Sequence, residues 1–403
     1  MSYEGFSRHK HPPEEGESAA REHHLSGEAE QHEAANESSY EGVHARAIEI
    51  AGEGKYAVIL DTLREEKLLT KEMERVEREY SLDDISFLNE HDREMFAVLD
   101  LYDPGTARHC LETYQIAREK IEKEIIPGVS FARLIEKQED VTLDQFYRAC
   151  LFHDIGKVEV PRAVIRNHFD EGHMLECMHH VYHTLYHDGK IPAWLGLKED
   201  ATDTEIDSAF VKQHSLRCVQ LVPSREVLSP DELAEIQARG YTGEETLMDI
   251  IKPHETHSGE ILERAGYLTE SRLAALHHNY GNKTPEHPFA VSILHLNVDL
   301  ADMLHIADVT QALQSGDRSY KGAFSPSKMM RIIAEHAQEG KVSPLAAYLW
   351  LTDDVRAYDA QPQELLSAKQ REQDAKHLAV VRAFLAQVKE STNTDDILSS
   401  EKS

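Results

Sequence analysis

Residues 151–157 read Leu-Phe-His-Asp-Ile-Gly-Lys, and the adjacent His153 and Asp154 are the side chains best suited to begin a metal site. The imidazole offers one nitrogen, and the carboxylate beside it can bridge two cations. Gly156 is expected to let the backbone turn sharply after the pair, and Lys157 places a cation where a phosphate would sit. A His-Asp dipeptide alone occurs by chance in many proteins. Its weight comes from further ligand types arriving in order along the chain: His109, His254, the adjacent His277 and His278, and Asp308. Asp308 lies within Ile306-Ala307-Asp308-Val309, where an acid among apolar residues is costly unless ligated or paired.

Composition narrows the classes of partner. The 403 residues suffice for two domains or for one large domain with tails. With 73 acidic against 43 basic residues the net charge is −30, which argues against non-specific binding of a nucleic-acid duplex and against an anionic membrane surface as the main partner. A site for an anionic substrate on such a chain needs local positive charge, and bound cations are the obvious source. Cys110, Cys150, Cys177 and Cys218 show no CxxC spacing and read as reduced thiols. No secretory signal pattern opens the chain and no apolar run is long enough to span a bilayer, so a cytoplasmic protein is expected. The sequence leaves the oligomeric state open, a homodimer included.

The elements that must position these residues are helical. Residues 1–44, rich in Glu, Ser, Gly and His, read as a disordered tail whose histidines (His9, His11, His23, His24, His32) are solvated. Helical periodicity begins at Ala45, and 45–100 reads as a small helical N-terminal region. Asp103-Pro104-Gly105 reads as a turn opening a helix that Thr106 can cap and that carries His109 in its first turns. Thr142 and Gln145 form a capping box for a helix that ends at His153-Asp154, deep in the core. Residues from about 167 to 226 read as an insertion. In it His179, His183 and His187 share one helix face without a carboxylate, a pattern better suited to a solvated or inter-helix face than to a second metal site. Ser229-Pro230-Asp231-Glu232 is a helix start, closed at Gly240. A further helix holds His254, His257, Ile261 and Leu262, and Thr269 is expected to cap the helix that ends at His277-His278. Neighbouring helical residues point about 100° apart, so that pair serves one cavity only by contacting different ions or different sides of one. A long apolar helix is predicted around Leu294–Leu313. Ser325-Pro326 opens the next helix, closed near Gly340, and an amphipathic helix follows Ser367 before a polar tail, 391–403.

The order His109, His153-Asp154, His254, His277-His278, Asp308 resembles the HD superfamily of metal-dependent phosphohydrolases, and more closely its HD-GYP branch, whose best-known members hydrolyse cyclic di-GMP. Local matches extend beyond the ligands. Asp103-x-x-Thr106-x-x-His109 is similar to the family's first helix, and His153 to Pro161 (HDIGKVEVP) is nearly its signature. His254-x-x-x-Ser258-Gly259-Glu260-Ile261-Leu262 resembles its H-x-x-x-G-A-x-I-L element. Ala307-Asp308-Val309-x-x-Ala312-Leu313 with Asp317-Arg318-Ser319-Tyr320 resembles AD-x-x-DAL-x-x-x-R-x-Y. The likeness covers roughly residues 100–350 and implies an all-α helical bundle over 101–390, interrupted by the insertion. Four positions depart from it. Gly105 stands where some members have a glutamate that holds a third metal, so two ions are expected rather than three. Asn279 replaces the glutamate after the paired histidines, Tyr280 to Pro285 does not carry the GYP signature, and Gln311 replaces a commonly acidic residue.

The resemblance implies His109, His153, Asp154, His254, His277, His278 and Asp308 as ligands of two divalent ions bridged by Asp154. The nitrogen and carboxylate donors suit iron or manganese. Such a centre makes hydroxide available near neutral pH for in-line attack on phosphorus. Asp154 and Lys157 would act in catalysis, with Arg318 as a candidate phosphate clamp. Three readings follow: a phosphodiesterase for a cyclic dinucleotide or related signalling nucleotide, a hydrolase of another phosphorylated small molecule, or a non-catalytic signalling protein that keeps the fold. The intact ligand set argues against the third. The altered loop after His278 leaves the first two open, and the insertion is expected to act as a lid or wall at the mouth of the cleft.

Overall fold

A computed structural model describes residues 42–52, 55–126, 129–137, 140–165, 197–198, 200–214, 223–277, 290–293, 296–315, 324–361 and 366–392. Its helices are α1 (42–52), α2 (Tyr56–Glu65), α3 (Leu69–Tyr80), α4 (Glu90–Tyr102), α5 (Pro104–Glu122), α6 (Phe131–Ile135), α7 (Leu143–Phe152) and α8 (Arg162–Ile165). They continue as α9 (Asp203–His214), α10 (Ser224–Val227), α11 (Pro230–Ala238), α12 (Leu247–Ile251), α13 (His254–Arg264) and α14 (Leu268–His277). The last four are α15 (Leu300–Gln314), α16 (Pro326–Gln338), α17 (Pro344–Asp359) and α18 (Ala368–Thr392). Two short antiparallel hairpins, β1 (Glu124–Ile126) with β2 (Val129–Ser130) and β3 (Ala290–Ile293) with β4 (Leu296–Asp299), are the strands among the described residues. The architecture is all-α, and no described helix is long and apolar enough to cross a membrane.

Local chemistry sets most helix starts. Thr142 and Gln145 exchange the two bonds of a capping box, as do Ser229 and Glu232 ahead of Pro230, and Ser325 caps α16 ahead of Pro326. Gly240 and Gly340, both with positive φ, follow the ends of α11 and α16. Four boundaries differ from the sequence reading. The first helix begins at 42 rather than 45. Asp103, not Thr106, caps α5: its carboxylate accepts from the Thr106 backbone and hydroxyl. Thr269 lies inside α14, which starts one residue earlier. Residues 296–299 are a strand rather than the start of α15, because Asp299 accepts from Ala301 N and opens the helix there.

Helices α5, α7, α13, α14 and α15 surround the ligand-bearing residues, with α2–α4 packed on one side and α16–α18 on the other around one continuous core. Arg148 of α7 ties three of these elements together. It donates to Asp92 of α4 (2.9 Å), to Glu270 of α14 (3.0 Å) and to the Phe87 carbonyl, and its guanidinium lies 4.7 Å from the centre of the Tyr267 ring. A second, smaller core joins Val160 and Val164, just past the His-Asp turn, to Ile206, Val227, Leu228, Ile236, Leu247 and Ile250. Through Ile206 the described part of the insertion packs on this second core. Residues 167–196, 199 and 215–222 of the expected lid, with His179, His183, His187 and Trp194, lie outside the described residues, as do 1–41 of the expected tail 1–44 and 393–403 of the expected tail 391–403.

Candidate metal centre

Helix ends and two helix bodies bring the candidate ligands together. His153 follows the last residue of α7 and Asp154 leads into a 3-10 turn, Ile155–Glu159. His254 opens α13 and His277 closes α14, whereas His109 and Asp308 project from the bodies of α5 and α15. His153, Asp154, His254 and His277 are all buried.

The turn fits because Gly156 carries no side chain. A Cβ there would lie 2.1 Å from the His254 carbonyl oxygen and 2.3 Å from Ser258 N. The Gly156 N–H instead donates to Ser258 Oγ at 2.9 Å, docking the turn directly on the backbone of α13. Gly156 is not among the residues with positive φ, so close approach of two backbones, not an unusual turn, is what requires glycine.

Three imidazoles are held in the same way. Nδ1 of His153, His254 and His277 donates to the carbonyl three residues earlier, at 2.9, 2.7 and 2.6 Å to Cys150, Ile251 and Ala274. With Nδ1 committed to a carbonyl, the neutral ring carries its lone pair on Nε2. That arrangement fixes a metal-ligating histidine in tautomer and direction. His109 uses a side chain instead: its Nδ1 contacts Gln311 Oε1, and Gln311 Nε2 donates to Glu112 at 2.5 Å.

The Nε2 atoms converge on two carboxylates. His109 Nε2 lies 3.2 Å from His153 Nε2, 3.0 Å from Asp308 Oδ1 and 3.5 Å from Asp154 Oδ2. On the other side of the same carboxylate, His254 Nε2 lies 3.1 Å from Asp154 Oδ1. The His277 ring stands edge-on to His153 with centres 5.0 Å apart. Lys157 Nζ lies 2.6 Å from Asp154 Oδ2. Two nitrogens bound to one ion at about 2.1 Å would themselves lie roughly 3 to 3.4 Å apart. The donor set fits a cation on this test, since acceptor atoms at such spacing repel unless a proton or cation lies between them. His109, His153 and Asp308 form one group of ligand-range atoms, and Cys110, His153 and Asp154 form another.

Burial and charge tune the groups consistently. Burial pushes the His153 imidazole down to about 4, against the opposing pull of Asp154 and Asp308, which keeps it neutral and able to ligate. Burial also acts to raise Asp308, but a proton on His109 Nε2 outweighs it and holds the carboxyl well below the usual range, a place that a bound cation would take with His109 in its Nδ1–H tautomer. For Lys157 burial works downward, and Asp154 overcomes it and keeps the ammonium charged. Burial pushes the Cys110 thiol up, so in the absence of an ion it stands beside the cluster as a neutral thiol.

Of the residues singled out from sequence, His109, His153, Asp154, His254, His277, Asp308 and Lys157 meet in this cluster. His278 and Arg318 lie outside the described residues. Sequence reasoning missed Cys110, Glu112 and Ser258, and it gave Gln311 no role. The available signals were the i, i+3 spacings of His109 with Glu112 and of Asp308 with Gln311, which put each pair on one helix face. Compared with family models, curated proteins and solved structures, the chain matches none of them.

Proposed function

We propose that the cluster is a binuclear metal centre of the HD phosphohydrolase type and that the protein is a hydrolase of phosphoesters, with a cyclic dinucleotide or related signalling nucleotide as substrate. The observation that carries this reading is the Asp154 carboxylate. One oxygen faces His109 and His153 and the other faces His254, as a bridge between two ions requires. Iron or manganese suits donors made of imidazole and carboxylate.

On this reading His109, His153 and Asp308 would hold one ion with Asp154, His254 would serve the second, and His277 would add an imidazole beside His153. The bound ions would lower the pKa of a water in the cleft and stabilise charge on phosphoryl oxygens. The chain's own part is to hold the imidazoles of His109, His153, His254 and His277 with Nε2 inward beside Asp154 and Asp308, and to exclude bulk water. Lys157 contributes a fixed ammonium 2.6 Å from the bridging carboxylate, on the 3-10 turn next to the centre. There it offsets the negative charge of two aspartates and lies within reach of an anionic substrate. The test is a screen of anaerobically purified protein, loaded with Mn²⁺ or Fe²⁺, against cyclic dinucleotides, linear dinucleotides and nucleoside monophosphates. Metal-dependent turnover of a dinucleotide supports the proposal. Turnover confined to a monoester moves the substrate class, and no turnover by a fully loaded protein defeats the enzymatic reading.

A further inference from the structure

His109 differs from the other imidazoles of the centre in what orients it. His153, His254 and His277 sit at helix ends, where a carbonyl of the preceding turn is available to Nδ1. His109 lies inside α5, where carbonyls of the preceding turn are committed to the helix ladder. Its orientation has to come from another element, and Gln311 of α15 supplies it, one turn beyond Asp308. An amide can point either way, presenting oxygen or NH₂, and the two choices demand opposite tautomers of the ring. Glu112 removes the choice. A carboxylate only accepts, so Gln311 must turn its NH₂ to Glu112, at 2.5 Å, and its oxygen to His109. The oxygen requires a proton on Nδ1, which puts the His109 lone pair on Nε2, facing Asp308, His153 and Asp154. The relay runs Glu112, Gln311, His109 and joins residues about 200 positions apart, and Gln311 is buried.

We propose that Gln311 is a positioning residue: with its amide direction set by Glu112, it fixes His109 as the Nε2 ligand of the centre. The inference rests on the metal-centre reading above. It assigns a task to the residue that departs from the family pattern, and the task depends on the paired acid at Glu112. A bland role, a simple tie between α5 and α15, would change stability alone.

The reciprocal exchange separates the two. Gln311→Ala leaves His109 unoriented, and the loss expected for removing such an outer partner is about 10- to 100-fold in metal affinity. Gln311→Glu alone sets two carboxylates against each other. Combined with Glu112→Gln it restores one acceptor for His109 and one donor for the acceptor, so the double variant is expected to bind within a few-fold of wild type. Mn²⁺ titrations of the full chain read the affinities, with the thermal melt as a folding control. Ring ¹⁵N spectra of the metal-free and Zn²⁺-loaded protein, with the signal assigned by His109→Gln, read the tautomer directly. A His109 proton held on Nδ1 in wild type and in the double variant, and released in Gln311→Ala, supports the proposal. Wild-type affinity in Gln311→Ala, or a double variant no better than Gln311→Ala, overturns it. If the wild-type chain binds no metal, the metal-centre reading fails. The spectra of the metal-free protein then still decide whether Gln311 fixes the ring.

Discussion

Replacing Gly156 with alanine is the smallest change that should disable the centre without touching a ligand. The added Cβ would meet two backbone atoms of α13, the His254 carbonyl oxygen at 2.1 Å and Ser258 N at 2.3 Å, and also Ser258 Oγ at 2.8 Å. Backbone of a packed helix cannot rotate aside as a side chain does. Measured against van der Waals separations of about 3.5 Å, α13 must retreat by on the order of 1 Å. Overpacking of this kind costs about 1 to 3 kcal/mol. Losing the partner of the buried Gly156 N–H adds about 1 to 3 kcal/mol. A total of roughly 4 kcal/mol is a large share of a typical stability of about 5 to 15 kcal/mol. His254 moves with α13, so its Nε2 leaves the 3.1 Å contact with Asp154, and on the proposed two-ion reading the second ion would lose a ligand. Urea unfolding reads the first effect, and Mn²⁺ titration below the unfolding transition reads the second. Ser258→Ala is the control: it removes the hydrogen bond without the clash, so it should cost about 1 to 2 kcal/mol and leave metal affinity nearly intact. A Gly156→Ala protein with wild-type unfolding midpoint and wild-type metal affinity would refute the argument that close backbone approach builds the site.

Stability of the metal-free protein should fall as pH drops from 6.5 toward 4. His153 is held at about 4 against an ordinary 6.5, so in that window the unfolded chain takes up a proton that the native chain refuses. The loss is on the order of 3 kcal/mol, and His153→Asn should flatten that part of the profile in chemical denaturation at stepped pH. Asp308, with its pKa depressed, contributes stability that is lost only below its unfolded value of 3.8, which separates the two effects. Arg148→Met should destabilise by about 3 to 5 kcal/mol, because it leaves Asp92 and Glu270 buried without their shared cation. An unfolding midpoint within 1 kcal/mol of wild type would count against that ion pair, taking exposed pairs at about 0 to 1 kcal/mol as the benchmark.

Features written in neighbouring residues were legible from the sequence. The Thr142 and Ser229 capping boxes, the Ser325-Pro326 start and the glycines that follow α11 and α16 depend on bonds within one turn. The convergence of residues far apart in the chain was legible too: six of the seven expected ligands lie in one cluster, the seventh being outside the described residues. The β3–β4 hairpin was not, since its strands of four residues each are too short for a distinct period and β4 runs straight into the apolar helix α15. Gly156 was assigned a turn because its real constraint, the backbone of α13, lies about 100 residues away. Gln311 looked like a lost acid for the same reason: its meaning depends on Glu112, and no local pattern carries a pairing of that span.

The claim that Asp154 bridges two ions is tested most directly by counting them. Elemental analysis of anaerobically purified protein, wild type beside Asp154→Ala, should give about two ions of iron or manganese per wild-type chain by the ligand count. Asp154→Ala removes the one carboxylate facing both imidazole groups, so it should hold at most one ion and show no metal-dependent phosphoester hydrolysis. Equal metal content in the two proteins, with turnover preserved, would contradict the account, and a well-occupied third ion would overturn the two-metal ligand set.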